Sequence, residues 1–149
     1  MTQTAIINDF LVRIFNKVLV CEQKCLASHV RDLSVNEMHV ISSVARLAVM
    51  DKSTVTNIAK SLSLSPAAMS ISVSKLVKKG YLIRRTSEKD RRRVYVFLTP
   101  KGKKINEYHD AFHRRMVSGI ASSLDEKELS MVCRSLAKLT EFFDRQQNI

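Results

Sequence analysis

Near the start of the chain, apolar residues recur at Ile7, Phe10, Leu11, Ile14, Phe15, Val18 and Leu19. Steps of three and four line one side of a helix, so an amphipathic helix is predicted from Ile7 to Cys25. A second helix is predicted to open at Ser34, where Glu37 completes a capping box, and to run to about Val49. Thr54 can cap a third, carrying Val55, Ile58, Ala59 and Leu62. Ser65 and Pro66 place a cap and a helix-favouring proline at the head of a fourth. Gly80 stops it, because glycine accepts the left-handed backbone that ends helices.

The periodicity then shortens. Two extended runs, Tyr81 to Arg85 and Val94 to Leu98, are joined by the polar stretch 86–93. Thr99-Pro100 ends the second run and opens a long helix to about Ser122. Asp125 and Glu128 begin a last helix, striped by Leu129, Val132, Cys133, Leu136, Leu139, Phe142 and Phe143. Cys133 lies on that stripe and is expected in the core. The fold class is mainly α with a small β wing, in the order of a winged helix-turn-helix.

Composition narrows the class. With 149 residues the chain fits one compact domain, and three Gly and two Pro argue against a sandwich or a linker-rich protein. No apolar run approaches the ~18 residues that span a bilayer, and residues 1–8 lack signal-peptide order. Three cysteines form no framework spacing. The expected setting is a reducing cytoplasm, with no membrane partner.

Charge is the most informative property. The net charge is +11, yet residues 75–104 hold twelve Lys and Arg against two acidic residues, so the remainder sums to +1. A charge run alone commonly marks only a solvated face. Here it coincides with the helix-turn-helix and its wing, which points to a polyanion.

The fourth helix divides by face. Met69, Val73, Leu76 and Val77 share an inward stripe, whereas Ala67, Ser70, Ile71, Ser74, Lys75 and Lys78 point the other way. Small residues there let a helix enter a major groove, serines can bond base edges or phosphates, and Lys75 and Lys78 suit flanking phosphates. With Ser65 at the helix head and Lys89, Arg91, Arg92 and Arg93 on the wing, these form the expected DNA-binding set. Arginines on a hairpin tip suit the minor groove, and Asp90 is expected to orient one of them through a charge-assisted pair.

With those residues in view, the chain resembles the MarR family of transcription regulators, most closely over VTNIAKSLSLSPAAMSISVSKLVKKGYLIRRTSEKDRRRVYVFLTPKG, with Asp90-Arg91-Arg92 as the wing motif. The resemblance implies a homodimer on a pseudo-palindromic double-stranded operator. It assigns residues 1–33 and 100–149 to dimerisation and residues 34–99 to the DNA-reading lobe. Ligands of this family often bind between those regions. Three further stretches, INDFLVRIFNKVLVCEQ, DLSVNEMHVI and INEYHDAFHRRMV, resemble the FabT type within the family. That type represses fatty-acid synthesis genes, with long-chain acyl-acyl carrier protein as co-repressor.

No phosphate loop, nucleophile signature or paired carboxylates mark an enzyme, and no cofactor is required by any motif. Three effector chemistries stay open. His109 and His113 stand four apart on the long helix, where with His39 and either Cys21 or Glu22 they could hold zinc. The resemblance adds that zinc-sensing members place ligands on these same helices. Cys21 and Cys25 share a helical face and could sense oxidants, or be small buried hydrophobes. An acyl-chain pocket could draw on Ile14, Phe15, Val18, Met38, His39, Phe112, His113 and Met116, residues equally suited to core packing.

Overall fold

The protein is seen in a computed structural model that describes residues 2–146. The chain divides into two compact units, residues 1–112 and 113–149. The first contains α1 (Gln3–Ala27), α2 (Val35–Val49), α3 (Val55–Ser61), α4 (Pro66–Lys78), β1 (Leu82–Thr86) and β2 (Val94–Leu98). It ends within α5 (Pro100–Ser122); the rest of α5 and α6 (Glu126–Gln146) form the second.

Local chemistry accounts for the helix ends. The side chains of Thr2, Ser34, Thr54 and Ser65 each accept a backbone N–H from the first turn that follows. Ser34 and Glu37 bond reciprocally, and Asp125 and Glu128 repeat that box before α6. The Thr2 cap explains why α1 begins earlier than its apolar periodicity alone implies. At the end of α4, Gly80 takes φ +80° and the Tyr81 N–H still donates to the Leu76 carbonyl. Tyr81 therefore closes the helix, and β1 starts at Leu82 instead of at the expected Tyr81.

β1 and β2 pair antiparallel, with Leu82 opposite Leu98 and Thr86 opposite Val94. The other edge of β2 is covered by the turn before α3: the Val96 N–H donates to the Ser53 carbonyl, and Thr54 bridges Tyr95. Met38, Ile41 and Val44 of α2, Ile58 of α3, and Met69, Val73 and Leu76 of α4 form the core with Tyr81, Leu82, Val96 and Ile105. Each contributes on the order of 1.5–3 kcal/mol by leaving water. Gly102 sets the first turn of α5 against this core, since a Cβ there would lie 2.2 Å from the Tyr81 carbonyl oxygen.

Two helices carry apolar faces left uncovered. Ile6, Ile7, Phe10, Val12 and Phe15 of α1 are at least half exposed. In the second unit α6 has no buried residue, and Val132, Leu136, Phe142 and Phe143 stand in the open. Cys133, expected in the core, is exposed with the rest of this face. A stripe at helical spacing identifies an apolar side, but not what lies against it. Cys21 is likewise exposed, and Cys25 is only half-buried, so neither is the buried hydrophobe that was one of its two readings. Among the described residues, no helix is long and apolar enough to cross a membrane.

Candidate nucleic-acid interface

The faces of α4 separate as the spacing predicts. Met69, Val73 and Leu76 are fully buried and Val77 is half-buried. Ala67, Ser70, Ile71, Lys75 and Lys78 are exposed, and Ser74 is half-buried between them. Lys75 and Lys78 also place positive charge at the helix C-terminus, where the backbone dipole favours it. Ser65 sits at the other end, its hydroxyl accepting the Ala68 N–H at 3.2 Å.

Ser74 is engaged rather than free. Its hydroxyl donates to the Ser70 carbonyl at 2.9 Å and accepts from the Arg84 guanidinium at 3.1 Å. The same guanidinium reaches the Ser70 carbonyl at 3.2 Å. Arg84 thus lies along the outward side of α4, carrying positive charge from the wing to that helix. It falls in the basic run but was not among the expected DNA-binding residues. Strand alternation was the available signal: Arg84 shares a side of β1 with buried Leu82, the side that meets α4. Arg85 points the opposite way. Its guanidinium stands 5.8 Å from the Phe97 ring centroid and lines a cleft of about 480 Å³ with Ala48, Val49 and Lys103.

The wing tip is shaped by its own side chains. The Ser87 hydroxyl accepts the N–H groups of Lys89 and Asp90, and the Asp90 carboxylate accepts the Arg92 N–H at 3.0 Å. The Ser87 N–H donates to the Arg93 carbonyl, and the Arg93 N–H to the Asp90 carbonyl. Asp90 was expected to pair with an arginine side chain. It instead holds the arginine backbone, because a short carboxylate reaches a main-chain N–H two residues on without leaving the turn. The guanidinium groups of Arg91, Arg92 and Arg93 are exposed, with no ion-pair partner among the described residues.

Two lysines of the basic run serve the lobe itself. Lys79 donates to both Glu37 carboxylate oxygens, at 2.8 and 2.9 Å, and to the Asp32 carbonyl. Lys101 donates to the Lys79 carbonyl at 2.8 Å and stands 4.0 Å from the Tyr81 ring centroid. The Tyr81 hydroxyl donates to Asp32 at 2.7 Å. The loop after α1 is therefore tied to the end of α4 and the start of α5. Burial and the Asp32 carboxylate raise the Tyr81 pKa, keeping its phenol protonated as donor. For Glu37, burial pushes the pKa up, but the bonds from Lys79 and Ser34 outweigh it and the net shift is down.

That sign fixes a pH dependence. Glu37 adds stability that is complete above its unfolded pKa of about 4.3 and drains away as pH falls through its lower folded value. The denaturant midpoint of Glu37→Gln should therefore trail the wild type at neutral pH. The two midpoints should converge in the acid range below pH ~4, and a gap that widens there contradicts the assignment.

A helix-turn-helix whose second helix shows small polar and basic residues, followed by an arginine-tipped hairpin, has clear counterparts. A sequence profile of the MarR family matches residues 31–93. The structure of Streptococcus pneumoniae FabT in complex with DNA is 34% identical, covering 97% of this chain and 99% of that one, with a TM-score of 0.85. The chain belongs to the MarR family. The S. aureus MepR–DNA complex, 23% identical and with a TM-score of 0.73, covers 91% of this chain and 97% of its own and shares the fold. An uncharacterized HTH-type transcriptional regulator of Bacillus subtilis, YhjH, is 31% identical over 93 residues. That match takes in 62% of this chain and spans about half of YhjH (51%).

Away from the reading surface, this MarR-family protein gathers a polar cluster that only part of the sequence spacing foretells. Glu22 of α1 is 5% exposed. His39 Nε2 lies 3.2 Å from each of its oxygens, and His109 Nε2 lies 3.3 Å from one. Ser42 bonds both Asn106 and His109 Nδ1, tying α2 to α5. Of the two α1 residues weighed as a ligand, the structure brings Glu22 to His39 and His109 and leaves Cys21 exposed. His113 belongs to the second unit.

The expected acyl-pocket residues differ in burial. Met38 is 1% exposed in the core, Ile14 and Phe15 are exposed, and Val18 and Phe112 are half-buried. Met116 lies in the second unit. Phe112 lines a cavity of about 10 Å³ with Cys25, Leu26, Ile105 and Tyr108, room for about one water.

Proposed function

We propose that this chain is a cytoplasmic, homodimeric transcription repressor that grips the two halves of a pseudo-palindromic DNA operator. One observation carries the reading: the exposed outer face of α4 is bordered by Arg84 and by a wing tip whose arginine side chains have no ion-pair partner among the described residues. α4 would enter the major groove and the tip the adjacent minor groove. The uncovered apolar faces of α1 and α6 support a second copy as their cover, since monomers rarely expose patches of that kind.

The effector assigned is a long-chain acyl group on acyl carrier protein, acting as co-repressor on fatty-acid synthesis genes. Full-length similarity to FabT supports it. The cavity lined by Phe112 is too small for an acyl chain, so a chain entering there would part α1 from α5. Fluorescence anisotropy on the promoter DNA of fatty-acid synthesis genes, with and without long-chain acyl carrier protein, is the test. Tighter binding with the acylated carrier is expected; equal affinity removes the effector.

The Glu22–His39–His109 cluster favours a second reading, zinc as effector. Each imidazole stands 3.2 to 3.3 Å from the Glu22 carboxylate, near the ~3.3 Å that separates ligands on a tetrahedral zinc, but the two rings lie 5.8 Å apart between centroids and would have to close on an ion. One carboxylate and two imidazoles are also an ordinary zinc donor set. Such an ion would lock α1 to α2 and α5. This reading expects bound zinc in the purified protein and operator affinity that falls with a chelator. A wild-type response in a His39→Ala, His109→Ala variant removes it.

A further inference from the structure

We propose that Ile71 reads the C5-methyl group of thymine in the major groove, so that the operator requires a thymine at one fixed position in each half-site. The inference rests on the operator-binding reading above and adds what that operator must contain. Ile71 is 61% exposed at the centre of the outer face of α4, between Ser70, Ser74, Ala67 and Lys75. Folding gives no reason for it. A β-branched residue is a weaker helix former than alanine, and a side chain 61% exposed gains little from burial.

Its neighbours sharpen the assignment. The Ser74 hydroxyl gives its one proton to the Ser70 carbonyl and accepts from Arg84, so it has no proton left for a base. Ser70 keeps a hydroxyl for a base or a phosphate, and the largest uncharged side chain on this face is the isoleucine. An apolar side chain cannot recognise phosphates or the hydrogen-bonding edges of bases. In the major groove, the thymine methyl is the apolar group a base pair offers. A protein partner fits less well, because one isoleucine among serines and lysines is not a contiguous apolar patch, and the surrounding charge favours a polyanion.

The test begins by selecting operators from a random duplex pool with the full-length protein. Each thymine pair related by the operator's symmetry is then replaced by deoxyuridine, which removes the methyl and keeps every hydrogen-bonding group. Wild-type protein should show one position whose substitution weakens binding about fourfold per half-site, roughly fifteenfold for both, the worth of one buried methyl. Ile71→Ala should lose a similar factor on the thymine operator and bind the two operators equally, while Ile71→Val keeps most of the discrimination. A wild-type protein indifferent to every deoxyuridine overturns the proposal, whatever the variants do. So does an Ile71→Ala protein that still discriminates fully. A selection that enriches no sequence instead defeats the underlying DNA-reading function, a result distinct from either.

Discussion

Gly102→Ala is expected to destabilise the protein by about 3 kcal/mol or more, the upper end of what overpacking a core costs. The added methyl would stand 2.2 Å from the Tyr81 carbonyl oxygen and 3.3 Å from the Leu98 side chain. A flexible side chain could swing away from such a contact. The Tyr81 carbonyl cannot, because it is backbone held by the Thr99 N–H, while the Thr99 hydroxyl donates to the Gly80 carbonyl at 2.6 Å and caps α5. Relief requires α5 to lift from the winged lobe or Tyr81 to leave the core. At roughly 2–4 °C per kcal/mol for a chain of this size, the melting temperature should fall by about 6–12 °C. Gly119→Ala is the control, since a Cβ there meets nothing within 4 Å and lies inside a helix where alanine is favoured. Equal melting temperatures for the two variants would show that α5 does not bear on Tyr81 as described.

The second large effect concerns the wing. Arg92→Ala should weaken operator binding about a hundredfold or more, because a homodimer loses one charge-assisted contact from each wing, each worth ~1.5–3 kcal/mol. The dependence of log K on log salt should flatten by about 1.8, two phosphates at ~0.9 each. Arg92→Lys separates charge from shape: it should restore the salt slope but only part of the affinity, since an ammonium lacks the planar fork of arginine. Stability should be unchanged in both, because the Arg92 side chain is exposed and its backbone bond to Asp90 survives substitution. An Arg92→Ala protein with wild-type affinity and slope refutes the placement of the tip against phosphates.

What could be read in advance follows the range of the interactions involved. Ser34 with Glu37, Ser65 with Pro66, and Gly80 are devices written within three or four residues; the first two start a helix and the last stops one where the spacing implies. The α4 faces were equally legible, since helical period alone separates Met69 and Val73 from Ser70 and Ile71. The clip between Arg84 and Ser74 joins a strand to a helix: alternation puts Arg84 on the side of Leu82, and the fold turns that side to α4. The meeting of Glu22 with His39 and His109 spans 17 and 87 residues, beyond any periodic signal. Lys79 and Lys101 belong to the basic run, and a count of charge does not record that Glu37 and Asp32 lie beside them. Cys133 was misjudged because an apolar stripe does not say whether its cover comes from the same chain.

The self-contained turn built by Ser87 and Asp90 has an evolutionary consequence. Its bonds begin and end within residues 87–93, so its shape makes no demand on the hydrophobic interior. Arginines on such a fingertip can be exchanged, lost or regained while the lobe keeps its thermal stability. Drift in target choice and drift in foldability are thereby uncoupled, and a lineage carrying this hairpin can explore new promoters without passing through misfolded intermediates.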